Sequence, residues 1–277
     1  MASRADWMGR TGQEWARRGA ALELLLGPAG DAGLQHLAPA PGQRVLDLGC
    51  GAGTSTEALA HAVGSDGTVT GIDVSPDLIA LAEDRLADLP QAAILEADAQ
   101  THSFDRPFDA LYSRFGAMFF DDPPAAFANL HRALVPGAPA IFVAWREPAR
   151  NQWASVPMTF VVPGNAGPGA GPQPGPGPFA WADPSVFRPL LQGAGFQAVT
   201  ETVHDYMAEI SDGDDPDPLT RAISFMMRIG PLAARLRDAS EKARAEAEAF
   251  LRRRLAKHVH EGALRLRASA WIIEARA

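Results

Sequence analysis

The chain has 277 residues, of which 47% are hydrophobic and 21% charged, and this composition is ordinary for a globular protein with a sizeable core. Its formal net charge of −8 argues against a protein that binds nucleic acid through a basic surface. The single cysteine, Cys50, excludes an internal disulfide framework and a cysteine-rich metal site, and it fits a reducing compartment. Because residues 1–10 lack the apolar core of a signal peptide and no apolar run is long enough for a membrane span, we expect a cytoplasmic protein.

The first 43 residues predict a helical arm. Apolar side chains recur at helical spacing over residues 12–26, and Gly27 with Pro28 predicts the end of that helix. A second short helix is predicted over residues 31–37. Trp7 and Trp15 stand out in this arm: either both pin it to the core, or Trp15 also covers a ligand pocket.

The next segment predicts a strand, a glycine turn and a helix. Residues 45–48 form the apolar run of a strand buried on both faces, and glycines follow at positions 49, 51 and 53. Glycine permits the φ angles of a tight turn and lets a ligand approach the backbone. The helix that begins near Thr54 offers free N–H groups and the positive end of its dipole. This arrangement is typical of the first unit of a nucleotide-binding α/β fold.

Two cofactor classes compete for this turn. A dinucleotide-binding turn has the pattern Gly-x-Gly-x-x-Gly, but position 54 is threonine. The observed pattern, Asp-x-Gly-x-Gly-x-Gly from Asp47, resembles motif I of the class I S-adenosylmethionine-dependent methyltransferases. The resemblance implies that S-adenosyl-L-methionine binds, that S-adenosyl-L-homocysteine is the product, and that the amino-acid tail contacts the turn and a nearby acid. The implied contact residues here are Trp15, Asp47, Gly49, Gly51, Gly53, Thr54 and Ser55.

Acidic residues follow the next two predicted strands. Asp73 ends a strand over residues 68–73, where folds of this kind place an acid for ribose hydroxyls. Its alternative role is to cap the next helix, but Ser75 and Pro76 already supply an N-cap and a first-turn proline. Val74 lies in the segment 71–76, which resembles the second methyltransferase motif. After the strand over residues 92–96, the same resemblance implies that Asp98 accepts a hydrogen bond from the adenine amino group and that the backbone of Ala99 contacts a ring nitrogen.

The fourth strand, over residues 108–112, predicts the wall beside the reacting end of the cofactor. Ligands of open parallel sheets bind outside the carboxyl ends of the strands, so Ser113 and Phe115 are expected at the site. Arg114 needs a partner there: it either pairs with a structural carboxylate or holds an acidic substrate or the cofactor carboxylate.

The second half of the chain completes the predicted fold. A strand over residues 140–145 follows a block, 129–137, that resembles the third methyltransferase motif. Six prolines and six glycines between Pro163 and Pro178 predict a mobile segment that is either a lid or an inert linker. Asp183 is the predicted N-cap of a helix to Gly193, a strand begins at Gln197, helices are predicted over residues 216–230 and 239–260, and a last strand covers residues 263–275.

The predicted fold is α/β, a Rossmann-like, seven-stranded, mostly parallel sheet with an antiparallel last strand and helical cap insertions. We predict an N-terminal arm of residues 1–43 and a cofactor-binding core of residues 44–146 that residues 181–206 and 263–277 complete. Residues 147–180 and 207–262 are the predicted substrate cap.

The resemblance implies methyl transfer by in-line displacement to a small-molecule acceptor, with no metal. The chain is most similar to the small-molecule type, like the ubiquinone and menaquinone biosynthesis methyltransferases, but its cap is its own, so the acceptor does not carry over. The motifs identify no catalytic base; the candidates for a base are His102, His204 and Tyr206, and Arg114 is a further catalytic candidate. The alternatives are an NAD(P)-dependent reductase and a non-catalytic S-adenosylmethionine-binding protein, and the sequence leaves the oligomeric state open.

Overall fold

The computed structural model describes residues 4–161 and 175–277. The strands within these ranges are β1 (Arg44–Leu48), β2 (Thr68–Asp73), β3 (Ala92–Glu96), β4 (Ala110–Arg114), β5 (Pro139–Trp145), β6 (Gln197–Glu209), β7 (Val259–His260) and β8 (Ala263–Arg276). The α-helices are α1 (Arg4–Trp7), α2 (Arg10–Arg17), α3 (Gly19–Leu37), α4 (Thr54–Val63), α5 (Pro76–Leu86), α6 (Pro123–Arg132), α7 (Gln152–Met158), α8 (Pro184–Gly193), α9 (Pro218–Met226), α10 (Pro231–Arg235) and α11 (Glu241–Leu255).

Seven strands of the described residues form one continuous sheet in the order β3-β2-β1-β4-β5-β8-β6, and the short β7 pairs with β8 alone. Strands β1 to β5 pair in parallel, whereas β8 is antiparallel to both β5 and β6. The predicted seven-stranded sheet with an antiparallel last strand is therefore confirmed. Because the strand order reverses direction between β1 and β4, a crevice is expected outside their carboxyl ends.

The central strands are buried on both faces, as their apolar runs predict. Val45 and Leu46 of β1, Leu111 of β4 and Phe142 of β5 have no exposed surface. Parallel strands need helices on both sides because neither face can meet water. On one side α3 contacts β4, β5, β6 and β8, while Phe127 of α6 packs against Phe142 from the other side.

The predicted end of the first helix at Gly27 and Pro28 is wrong. The arm instead contains α2 and the nineteen-residue α3, which continues through Pro28 to Leu37. A proline inside a helix removes one backbone hydrogen bond and costs about 3 kcal/mol. Two tyrosine hydroxyls of the sheet bind backbone carbonyls of α3 before and after Pro28. Tyr206 donates to the Leu25 carbonyl at 2.7 Å, and Tyr112 donates to the Gly30 carbonyl at 2.8 Å. Burial of α3 against the sheet outweighs the local proline signal.

The later elements follow the predicted order with different limits. Asp183 caps α8 as predicted, since its carboxylate accepts a hydrogen bond from the Ser185 N–H at 2.8 Å. Strand β6 extends to Glu209, and the helix predicted over 216–230 is shorter, because only α9 lies in that range. The last long helix ends at Leu255, before a short 3₁₀ turn and β7. The predicted mobile segment from Pro163 to Pro178 lies mostly outside the described residues. No helix in the described ranges has the length and apolarity of a membrane span.

Candidate functional site

The turn after β1 is built from glycines in the left-handed region. Gly49, Gly51 and Gly53 have φ angles of 67°, 54° and 81°. A Cβ atom at Gly49 would lie 2.9 Å from the Cα atom of Gly116, so only glycine lets the turn after β1 approach the loop after β4 this closely. The turn therefore joins the two strands that border the crevice.

Asp47 lies beneath this turn and is fully buried. Its Oδ2 atom accepts hydrogen bonds from the hydroxyls of Ser55 and Thr56, both at 2.7 Å, while Oδ1 has no partner. Burial raises the pKa of Asp47 to about 6, although the two hydroxyls act in the opposite direction. Asp47 thus ties the first turn of α4 to the end of β1, and its side chain does not line the cavity above.

A cavity of about 810 Å³, counting the space at its mouth, lies outside the carboxyl ends of β1, β2, β3 and β4. The structure brings nine of the predicted site residues to its wall. They are Trp15, Gly49, Gly51, Asp73, Val74, Asp98, Ala99, Arg114 and Phe115. The other predicted site residues do not line this cavity. They are Asp47, Gly53, Thr54, Ser55, Ser113, His102, His204 and Tyr206.

Asp73 connects the second strand to the glycine turn. Its carboxylate accepts hydrogen bonds from the backbone N–H of Gly51 at 2.9 Å and of Ser75 at 3.0 Å. Burial raises the pKa of Asp73, partly offset by these N–H groups. Ser75 occupies the N-cap position of α5, but its side chain makes no capping bond and its Oγ is buried without a partner. The predicted N-cap position of Ser75 and the first-turn Pro76 are therefore confirmed, and the Asp73 carboxylate binds the Ser75 N–H.

The arm closes the far end of the cavity. Arg4 forms an ion pair with Asp98 at 3.3 Å, and the Asp98 carboxylate also accepts a hydrogen bond from the Gln100 N–H at 2.9 Å. The Trp7 ring packs edge-on against Trp15 at 5.0 Å between ring centroids, and against Phe119 at 5.1 Å. The Nε1 atom of Trp7 is buried and has no hydrogen-bond partner. Both tryptophans thus pack the arm against the core and border the cavity, while the role of Trp15 over a bound cofactor stays a prediction.

The end of β4 supplies the opposite wall. Ser113 is fully buried and donates to the Leu48 carbonyl at 2.9 Å, so it holds β4 against β1 rather than facing the cavity. Phe115 has a φ angle of 58°, which is uncommon for a bulky residue, and its ring stacks on Trp145 at 4.2 Å. Arg114 pairs with the Glu23 carboxylate of α3, as one of its two predicted alternatives required.

The side chains of the remaining catalytic candidates, His102, His204 and Tyr206, contact other parts of the fold rather than the cavity. His102 packs edge-on against Phe104 at 4.8 Å. Burial raises the pKa of Tyr206, whose hydroxyl is engaged with the Leu25 carbonyl. His204 lies beside Tyr206 at 5.3 Å, with its Nε2 atom buried and unpartnered. None of these three side chains borders the cavity.

Sequence reasoning missed several residues of the wall. Phe119 ends a 3₁₀ turn after β4, and Phe120 and Asp121 follow it; their position after a strand end was a usable signal. Arg4 carried no such signal, because only the packing of α1 brings it to Asp98. Within the described residues, no group of three or more histidine, cysteine or acidic side chains is arranged to hold a metal ion.

Comparison with known proteins agrees with this geometry. Residues 45–137 match the family described as "Methyltransferase domain". The chain is 37% identical over 130 residues to a 2-phytyl-1,4-naphthoquinone methyltransferase of Nostoc punctiforme, which covers 44% of this chain and 56% of that protein. It is 33% identical over 105 residues to a demethylmenaquinone methyltransferase of Lysinibacillus sphaericus, covering 38% of this chain and 45% of that protein.

The matched segment thus spans about half the length of these curated relatives. A solved structure, the YcgJ protein of Bacillus subtilis, has 14% sequence identity and a TM-score of 0.55, and the match covers 90% of this chain and 97% of that one. At this identity the match shows a shared fold and nothing further.

Proposed function

We propose that this chain methylates a small aromatic acceptor of the quinol type. Its residues 45–137 are a class I S-adenosylmethionine-dependent methyltransferase domain, related to the menaquinone and phylloquinone biosynthesis enzymes. The observation that carries the proposal is the cavity itself. It places the glycine turn, Asp73 and Asp98 along one wall, in the order in which a nucleoside with an amino-acid tail needs them.

The residues present fit the cofactor. Gly49 and Gly51 bring bare backbone to the cavity wall, and a Cβ atom at Gly49 would lie 2.9 Å from the Gly116 Cα atom, so a side chain is excluded there. Asp73 lies on the wall at the end of β2, where its carboxylate is suited to two vicinal ribose hydroxyls. Asp98 and Ala99 would hold the adenine, and the turn from Gly49 to Gly53 would hold the amino-acid tail.

When bound, S-adenosylmethionine supplies a methyl group already activated by the positive charge on sulfur. The chain therefore contributes mainly proximity and orientation. Trp15, Phe115 and Phe119 on the wall give the cavity an apolar lining that limits water. Among the described residues, the wall has neither histidine nor tyrosine, so the proposed reaction does not depend on His102, His204 or Tyr206 as a base.

The names of the relatives and the aromatic content of the site support a quinol-type acceptor. A row of rings leads from the cavity into the segment after β5: Phe115 stacks on Trp145, which contacts Trp153 at 5.0 Å, which in turn stacks on Phe179 at 5.8 Å. Only Phe115 of this row lines the cavity, but the cavity wall also carries Trp7, Trp15, Phe119 and Phe120. An aromatic wall favours planar apolar ligands. We assign residues 147–180 and 207–262 to the cap that selects the acceptor, and residues 1–43 to the arm that closes on the cofactor.

The alternatives differ in their ligand or in turnover. A reductase would need the third glycine of the dinucleotide turn at Thr54, where α4 begins. A binding protein without turnover would retain the same cavity and differ only in chemistry. Incubation with methyl-labelled S-adenosylmethionine and a panel of reduced naphthoquinones, benzoquinones and catechols tests the proposal. Label recovered in one of these acceptors is expected, whereas tight cofactor binding with no labelled product from any of them would contradict it.

A further inference from the structure

Arg114 brings a buried positive charge to the glycine-turn end of the cavity. It lines the wall together with Leu48, Gly49 and Gly116, and its side chain is 13% exposed. The stem passes over Gly30 of α3, where a Cβ atom would come within 2.5 Å of the Arg114 Cδ atom. The path of the side chain is therefore fixed by the backbone of α3.

Glu23 of α3 fixes the orientation of the charged group. Nη1 and Nη2 of Arg114 donate to the two Glu23 carboxylate oxygens at 2.6 and 2.7 Å, which is the bidentate arrangement. Burial alone would raise the pKa of Glu23, but the hydrogen bonds and charge of Arg114 outweigh it and lower that pKa. Burial would likewise lower the pKa of Arg114, and Glu23 raises it. Both groups are therefore ionised at neutral pH.

This pair leaves part of the guanidinium unused. A guanidinium has five N–H donors, and Glu23 takes two of them. In the described part of the chain, no other group accepts a hydrogen bond from Arg114. Its Nε atom has no protein partner there either, and it is not fully enclosed by the protein. A buried guanidinium with free donors on a cavity wall favours an anionic ligand group, because charge-assisted hydrogen bonds are strong there.

The position of Arg114 selects which part of the ligand it meets. Asp73 and Asp98 follow β2 and β3, on one side of β1, whereas Arg114 ends β4 on the other side. A ligand whose nucleoside lies at the two acids would therefore direct its opposite end toward Arg114. In S-adenosylmethionine that end carries a carboxylate.

We propose that Arg114 binds the carboxylate of the cofactor's amino-acid tail and that Glu23 is the positioning residue that holds its guanidinium. The inference rests on the proposed function, since it needs the cofactor in this cavity. It extends that function by assigning the tail to a residue outside the glycine turn and by giving the arm helix α3 a part in cofactor binding.

The test compares two ligands that differ only in the carboxylate: S-adenosylhomocysteine and S-(5′-adenosyl)-3-thiopropylamine. By calorimetry, the parent protein should bind S-adenosylhomocysteine about ten- to a hundredfold more tightly, the scale of a hydrogen-bonded charge pair. Arg114→Met should reduce that ratio to about threefold or less while leaving the affinity for the amine little changed. Glu23→Gln should give an intermediate ratio.

Arg85→Met is the matched control. Arg85 also lies beside the turn, where it donates to the Ala52 carbonyl at 2.9 Å, but it does not line the cavity. The control should keep the parent ratio, and the double variant Arg114→Met/Glu23→Gln serves if the single one does not fold. An unchanged ratio in the Arg114 variants, or an equal loss in the Arg85 control, would overturn the assignment. Failure of the parent to bind either ligand would instead overturn the proposed function.

Discussion

The Asp73 carboxylate accepts a hydrogen bond from the backbone N–H of Gly51 at 2.9 Å, so the acid that ends β2 and the turn that follows β1 form one structural unit. The same carboxylate binds the Ser75 N–H at the start of α5. The residue proposed to hold the ribose therefore also orders the turn proposed to hold the tail. Substitutions at Asp73 should affect both parts of the ligand.

Asp73→Ala is expected to weaken S-adenosylhomocysteine binding by roughly 1.5–3 kcal/mol, the scale of hydrogen bonds to a charged group. This corresponds to about a ten- to a hundredfold rise in dissociation constant, measured by calorimetry. Asp73→Asn keeps one acceptor oxygen and should lose less. A dissociation constant for Asp73→Ala equal to that of the parent would show that Asp73 only orders the backbone.

The ligand preference of the turn gives a second prediction. S-adenosylhomocysteine should bind and NADH should not, because Thr54 replaces the third glycine of a dinucleotide turn and begins α4. Calorimetric titration of the same protein sample with each ligand measures this. Micromolar binding of NADH without any binding of S-adenosylhomocysteine would exclude the proposed cofactor.

Asp47 predicts a pH dependence of stability. Its pKa is raised from an ordinary value of 3.8 to about 6, so the folded state holds the proton more tightly than the unfolded state. The resulting stabilisation is fully present below pH 3.8 and is lost as the pH rises through about 6. By the conversion from pKa to free energy, the change is about 3 kcal/mol.

Asp47→Asn cannot ionise, yet it keeps an oxygen for Ser55 and Thr56. Urea unfolding of both proteins between pH 4 and pH 7 should therefore show the variant gaining stability relative to the parent as the pH rises. Two unfolding free energies that change in parallel over this range would mean that Asp47 does not carry the effect.

Two glycines of α3 make a matched pair. A Cβ atom at Gly33 would lie 2.6 Å from Val143 Cγ2 and 3.1 Å from the Tyr112 ring, whereas at Gly27 its nearest neighbour is the Glu23 carboxylate at 3.9 Å. Gly33→Ala should destabilise the fold by about 1–3 kcal/mol through overpacking. Gly27→Ala should stabilise it by roughly 0.5–1 kcal/mol, because alanine is the better helix former. Thermal or urea unfolding measures both, and equal effects would show that α3 does not pack as closely as described.

The sequence by itself determined the strands β1 to β5, their order along the chain and the glycine turn. These are local properties: an apolar run of four or five residues has few alternatives to a buried strand, and only glycine adopts the φ angles of residues 49, 51 and 53 at low cost. The place of Asp73 after β2 also indicated a ligand role, because parallel strands end at a common edge, whereas the role of Asp98 was implied by the family resemblance.

The tertiary structure alone decided where the side chains around that edge point. Helix α3 passes through Pro28 because burial against the sheet outweighs the local cost, and this brings Glu23 to Arg114 across 91 positions of sequence. Asp47, within the same motif as the cavity-lining glycines, lies behind the wall because its carboxylate bonds to Ser55 and Thr56 of α4. Such outcomes depend on which partner comes within hydrogen-bonding distance, and that distance is set by the packing of distant segments rather than by local sequence.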